Sequence, residues 1–114
     1  MPILPGAGRF QHPAAPEPNH FDEHLRTADL SVGTYSIPAG GVDDQHPHTE
    51  DEIYVVTAGR ATFVDAAGAV PVRPGDTIFV GAGEQHRFVD ITEDLALVVV
   101  FAPPYRSRGG STPA

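Results

Sequence analysis

Between Gly40 and Gly59 the chain reads GGVDDQHPHTEDEIYVVTAG, and this stretch concentrates side chains suited to holding a metal ion. His46 and His48 are two positions apart, so an extended backbone turns both imidazoles to one side. Glu52 shares their parity if the chain stays extended as far as the glutamate. Pro47 argues against a helix here, because it has no N–H to donate and biases His46 toward extended geometry. A third histidine, His86, returns in a second Gly-rich turn. The neutral imidazoles of His46, His48 and His86 with the carboxylate of Glu52 make a mixed nitrogen and oxygen donor set, suited to divalent iron, manganese, nickel, copper or zinc. An octahedral ion held by all four keeps positions open for water, dioxygen or substrate, which is a catalytic arrangement. A tetrahedral zinc held by all four is closed and structural. His12, His20 and His24 read as ordinary surface or core residues. Asp43, Asp44, Glu50 and Asp51 read first as a solvated acidic loop, with support of metal ligands as a remote option.

The elements that must position these donors are strands. FDEHLR (21–26) and SVGTYSI (31–37), separated by TADL, favour a hairpin over a short helix at 21–26. Beyond the central stretch, strand candidates fall at about 52–57, 60–65 and 69–72, with turns at Gly59-Arg60 and Ala66–Gly68. A break at Pro74-Gly75-Asp76 precedes TIFV (77–80), the loop GAGEQ, HRFVDI and the almost wholly apolar LALVVVF, expected to be buried on both faces. About eight short strands with closely spaced turns predict an all-β antiparallel barrel or double-sheet jelly roll. Residues 1–19, with five prolines, predict an extended arm, disordered or laid on a partner, with Ile3, Leu4 and Phe10 as its apolar anchors. Residues 20–102 form the barrel in this reading, and 103–114 a flexible tail leaving it.

Composition narrows the function. The 114 residues fit one domain, and a formal net charge of −8 with no lysine disfavours nucleic acid and anionic membrane as partners. The missing lysine also removes Schiff-base chemistry, and the missing cysteine removes thiol nucleophiles, disulfides and thiolate ligands. No Gly-x-Ser-x-Gly elbow occurs. No apolar run is long enough to cross a bilayer and residues 1–20 lack secretory-signal character, so a cytoplasmic location is the default expectation.

The joint spacing from Gly40 through His46, His48 and Glu52 to Gly59 resembles the first motif of the cupin superfamily at every defined position. Gly75, Gly83 and His86 resemble the second motif, with Gly81 where proline is usual and Asp90 where asparagine is usual. The resemblance extends over about 21–102. It implies a small cupin barrel, a double-stranded β-helix of jelly-roll type, in which His46, His48, Glu52 and His86 bind one divalent transition metal. Iron or manganese is favoured, with zinc, nickel or copper as alternatives. If strand alternation holds, Tyr54 and Val56 face the same way as Glu52, and Phe88 the same way as His86. These, with Tyr35, are the expected pocket lining, and Tyr54 is the candidate catalytic residue.

Such a site suits a dioxygenase or related oxidoreductase acting on a small oxygenated substrate that chelates the metal. The alternatives are a non-redox isomerase, lyase or cyclase, and a binding or sensing protein without turnover, because the superfamily shares a scaffold more than a reaction. The Pro-rich arm and outward apolar residues such as Ile53 and Val55 lead to the expectation of a homodimer.

Overall fold

The computed structural model describes residues 1–107. It contains six strands and no helix: β1 (His20–Arg26), β2 (Ser31–Ile37), β3 (Asp51–Asp65), β4 (Gly68–Val72), β5 (Thr77–Val80) and β6 (His86–Ala102). All pairings are antiparallel, in the order β1-β2-β6-β3-β4, with β5 beside β3. This is the predicted jelly-roll architecture. The 21–26 segment is a strand of the β1–β2 hairpin, and the helical alternative is not adopted.

Six strands replace the expected eight because two pairs of candidates are each one long, bent strand. In β3 the inward residues are Glu52, Tyr54 and Val56, then Ala61 and Phe63, so the buried parity changes from even to odd partway along. The register with β6 slips around Ala58 and Arg60, and Gly59 between them has φ 86°. Gly59-Arg60 is therefore an irregularity within a strand instead of the expected turn. An added Cβ at Gly59 would lie 2.2 Å from the Asp94 carbonyl oxygen, so only glycine lets the strands approach there.

In β6 the same change occurs at Asp90. His86 and Phe88 are buried before it, and Ile91, Leu95, Leu97, Val99 and Phe101 after it. Asp90 has φ 49°, and aspartate, like asparagine, tolerates that left-handed conformation better than most residues. The aspartate standing where the resemblance leads one to expect asparagine thus keeps the backbone role. The first half of β3 pairs with β5 and the end of β6, and the second half with β4 and the start of β6. Bending these two strands together folds the sheet over one core.

The LALVVVF run faces inward more than on both sides. Leu95, Ala96 and Leu97 are fully buried, as are Val99 and Phe101, whereas Val98 and Val100 are partly exposed. The segments outside the strands also pack on this barrel. Gly8 is held by its N–H donating to Thr34 Oγ1 at 2.8 Å and its carbonyl accepting from the Thr57 hydroxyl, and the Gln11 N–H donates to Ser36 Oγ. The arm therefore lies on its own chain, although Ile3 is solvent-exposed and anchors nothing. At the other end the chain turns back instead of departing: Pro104 is buried and Tyr105 packs against the core. The remainder of the expected tail, 108–114, lies outside the described residues.

Replacing Asp90 by valine should lower stability by about 1–2 kcal/mol, the cost of a branched residue in left-handed backbone, while Asp90→Asn and Asp90→Gly stay near wild type. Urea unfolding midpoints check this, and equal midpoints for the three variants contradict the assigned role.

Candidate metal centre

Tyr54 and Glu52 enter the core from β3, and His86 from the first residue of β6. His48 lies in the segment between β2 and β3, where its carbonyl accepts the Gly83 N–H at 2.7 Å. That bond ties the two Gly-rich loops together. His48, Glu52 and His86 are all buried, although each is polar. His86 Nε2 is 2.9 Å from Glu52 Oε1 and 2.9 Å from the Tyr54 hydroxyl. On its other side, His86 Nδ1 is 2.9 Å from the Glu84 carbonyl oxygen. A carbonyl only accepts, so Nδ1 carries a proton and Nε2 is the nitrogen facing Glu52.

Burial alone would lower the pKa of His86, but the hydrogen bond and charge of Glu52, with the Glu84 carbonyl, outweigh it and raise the value. At His48 burial dominates and lowers the pKa despite the charge of Glu52, with His86 adding to the lowering. His48 is thus held neutral, the form that donates to a metal. Both of its ring nitrogens and Glu52 Oε2 are buried without a hydrogen-bond partner.

His46 is placed differently. It is exposed, in a non-regular segment where the alternation needed to align it with His48 does not continue. It lines the same cleft as His86, a space of about 410 Å³ at the barrel mouth bordered also by Gln45, Gln85 and Arg87. Among the described residues, no three or more His, Cys, Asp or Glu side chains already form an arrangement that could hold a metal ion. The donor chemistry fits one all the same. A neutral imidazole and a carboxylate oxygen, buried and without partners beside a second imidazole, are groups whose desolvation a bound cation would offset.

Tyr35 and Tyr54 border a void of about 10 Å³ beside His48 and Gln45. Val56 and Phe88 share the inward face but sit within the packed core, Phe88 edge-on to Tyr54 with ring centroids 5.1 Å apart. The open space beside the donor cluster is therefore the outer cleft, not the barrel interior.

The acidic loop differs most from its sequence reading. Asp43 is buried, and its carboxylate accepts from the Tyr35 hydroxyl at 2.7 Å, Gln45 Nε2 at 2.7 Å, the Phe88 N–H at 2.8 Å and the Gln45 N–H at 3.3 Å. Gln45 Oε1 in turn accepts from the Tyr54 hydroxyl at 2.8 Å. A continuous chain thus runs from His86 through Tyr54, Gln45 and Asp43 to Tyr35. Gln45 and Asp43 carry no periodic or compositional signal that marks them, since both lie in a polar stretch that reads as loop. Glu50 is buried as well, accepting from the Thr49 hydroxyl and the Arg106 N–H.

The chain belongs to the cupins, its residues 33–102 matching the cupin domain model. It is 43% identical over 82 residues to an uncharacterized protein of Streptomyces coelicolor, spanning 72% of this chain and 78% of that one. Among solved structures it is similar to TT1209 from Thermus thermophilus, with TM-score 0.72 and 21% identity over 91% of this chain and 97% of the other. KdgF from a Halomonas species gives TM-score 0.70 and 21% identity over 80% and 85% of the two chains. A Thermotoga maritima protein described as a predicted oxalate decarboxylase gives 0.63 and 26% over 72% and 77%. These similarities bear on the fold. Cupin domains often bind a metal but carry out diverse functions. Among the described residues no helix is long and apolar enough to cross a membrane.

Burial, reinforced by Asp43 at Tyr35 and by Glu52 then Asp43 at Tyr54, raises the pKa of both phenols. A raised folded-state value means that the stability these phenols contribute is complete below about pH 10, the unfolded value, and is lost as pH rises from there toward the folded value. Alkaline titration followed by tyrosine absorbance should therefore ionise Tyr35 and Tyr54 only as the protein unfolds. Tyr35→Phe and Tyr54→Phe should leave the native-state absorbance change unaltered, and a reduced change in either variant would contradict the assignment.

Proposed function

We propose that this cupin is a metal-dependent enzyme acting on a small oxygenated organic substrate, with oxidation by dioxygen as the favoured reaction class. The observation that supports it is the set of buried, unpartnered donor atoms on His48 and Glu52 beside His86, next to a cleft of about 410 Å³. His48, Glu52 and His86 would hold the ion, and His46 lines the same cleft as His86. Bound divalent iron or manganese supplies Lewis-acid polarisation of a substrate oxygen and redox access to dioxygen.

The protein's own side chains do the rest. Glu84 fixes the His86 tautomer, so that Nε2 faces the site. Tyr54, kept neutral by burial, has a proton to donate and is oriented by Gln45. The filled interior keeps the substrate in the outer cleft, where Gln45, Gln85 and Arg87 offer polar contacts. Tyr54 also favours a second reading, a non-redox isomerase, lyase or cyclase, because its neutral phenol is joined to the cleft through its hydrogen-bond partners Gln45 and His86, which both line it.

Metal content measured on protein purified without chelators or nickel resin tests the first step. Near-stoichiometric iron or manganese, with oxygen uptake in a screen of small hydroxy acids, diketones and phenols, is the expected result. Zinc or nickel without oxygen uptake moves the assignment to the non-redox class. His48→Ala and His86→Ala should lose the metal and keep the fold. Variants that bind as much metal as wild type would remove those residues from the site.

The reading includes a homodimer built on the outer sheet face. Ile53 and Phe79 are cross-strand partners there, 39% and 65% exposed, which is a large apolar pair to leave in water. Light scattering should give twice the chain mass, falling toward the monomer in Phe79→Glu. A monomeric wild type overturns it.

A further inference from the structure

The cluster around His48 includes a residue from outside the barrel strands. The His48 ring has no hydrogen bond at either nitrogen, so hydrogen bonding does not set its orientation. Aromatic rings surround it instead, and Phe101 and Tyr105 are nearer than His86, whose ring centroid is 6.3 Å away. Phe101 meets it edge-on with centroids 5.0 Å apart and planes at 74°, and Tyr105 meets it at 5.4 Å and 72°. Phe101 belongs to β6, whereas Tyr105 lies beyond the last strand, in the turn that follows Ala102.

That turn is tied down at several points. The Tyr105 N–H donates to Ser31 Oγ at 2.9 Å, and Ser31 is buried at the start of β2. The Arg106 N–H donates to Glu50 Oε1 at 3.3 Å, and Glu50 is a buried carboxylate lying between His48 and Glu52 in sequence. The Tyr105 ring also packs on Phe101 at 4.8 Å and on Phe21 at 5.4 Å. One short segment therefore braces the imidazole directly and grips the stretch of chain that carries both His48 and Glu52.

We propose that Tyr105 is a positioning residue for His48, and that the segment Pro103–Ser107 is a strap that keeps this imidazole aimed into the site. The ring that lacks hydrogen bonds depends on its packing for a single orientation, and Tyr105 supplies one of the two nearer walls. The consequence for metal affinity rests on the metal reading above, whereas the positioning of the ring does not.

The test uses the full chain, with the imidazole resonances of His48 followed by NMR in metal-free protein and manganese affinity measured by chelator competition. Tyr105→Ala should broaden or split the His48 signals and weaken manganese binding at least about tenfold, the scale on which a metal ligand's supporting contacts act. Tyr105→Phe, which keeps the ring, should restore both to wild type. If Tyr105→Ala fails to fold, Tyr105→Leu takes its place, since it fills volume without presenting a ring face, and the same broadening is expected. Unchanged His48 signals and affinity, whatever happens to the melting temperature, reduce Tyr105 to a structural role and overturn the proposal. Should wild type take up neither manganese nor iron, zinc, nickel or copper, the metal reading fails, and the His48 resonances alone decide the strap.

Discussion

Two imidazoles and a carboxylate are buried together in this barrel, and much of the surrounding structure serves to make that arrangement tolerable. A charged or polar group taken from water without partners is costly, and leaving one member of a buried ion pair without the other costs about 3–5 kcal/mol. Glu52 and His86 offset part of this by pairing at 2.9 Å, with the Glu84 carbonyl on the far side of the ring. His48 and the second oxygen of Glu52 are not offset within the protein. The site thus stores an unmet electrostatic demand that a cation can meet, which links the energetics of the core to the proposed chemistry.

The scaffold that creates this demand is the bent β3–β6 pair. Each strand changes its inward parity once, β3 around Gly59 and β6 at Asp90, and the backbone at both points has positive φ. Without those changes, the strand that points Glu52 and Tyr54 inward would turn Ala61 and Phe63 outward. The same pair could not then bring Glu52, from one end of its ladder, against His86, from the other, and close an apolar core between them.

The polar network beside the site joins separate parts of the chain. Asp43 reaches Tyr35 on β2, Gln45 in its own loop and the Phe88 N–H on β6. Because Phe88 lies two residues after His86, this carboxylate helps hold the start of β6 against the loop that carries His48. The arm at Gly8 and the segment around Tyr105 add contacts at the two ends of the chain. The barrel and its terminal segments consequently behave as one packed unit among the described residues.

The spacing of Gly40, His46, His48, Glu52 and Gly59, with Gly75, Gly83 and His86, was sufficient to place the chain in the cupin fold. Glycine spacing and strand alternation are local properties, and Glu52, Tyr54, Val56, His86 and Phe88 all have the burial that alternation requires. Alternation could not reveal that 52–57 and 60–65 are one strand, because a mid-strand irregularity around Gly59 looks like a turn until the pairing partner is known. Nor could it separate exposed His46 from buried His48, since the segment carrying them is not a strand. Asp43, Gln45, Glu50 and Tyr105 acquire their roles only from groups that are brought against them from distant positions. Whether a polar residue in a loop is solvated or buried depends on what covers it, and that is decided by the tertiary structure alone.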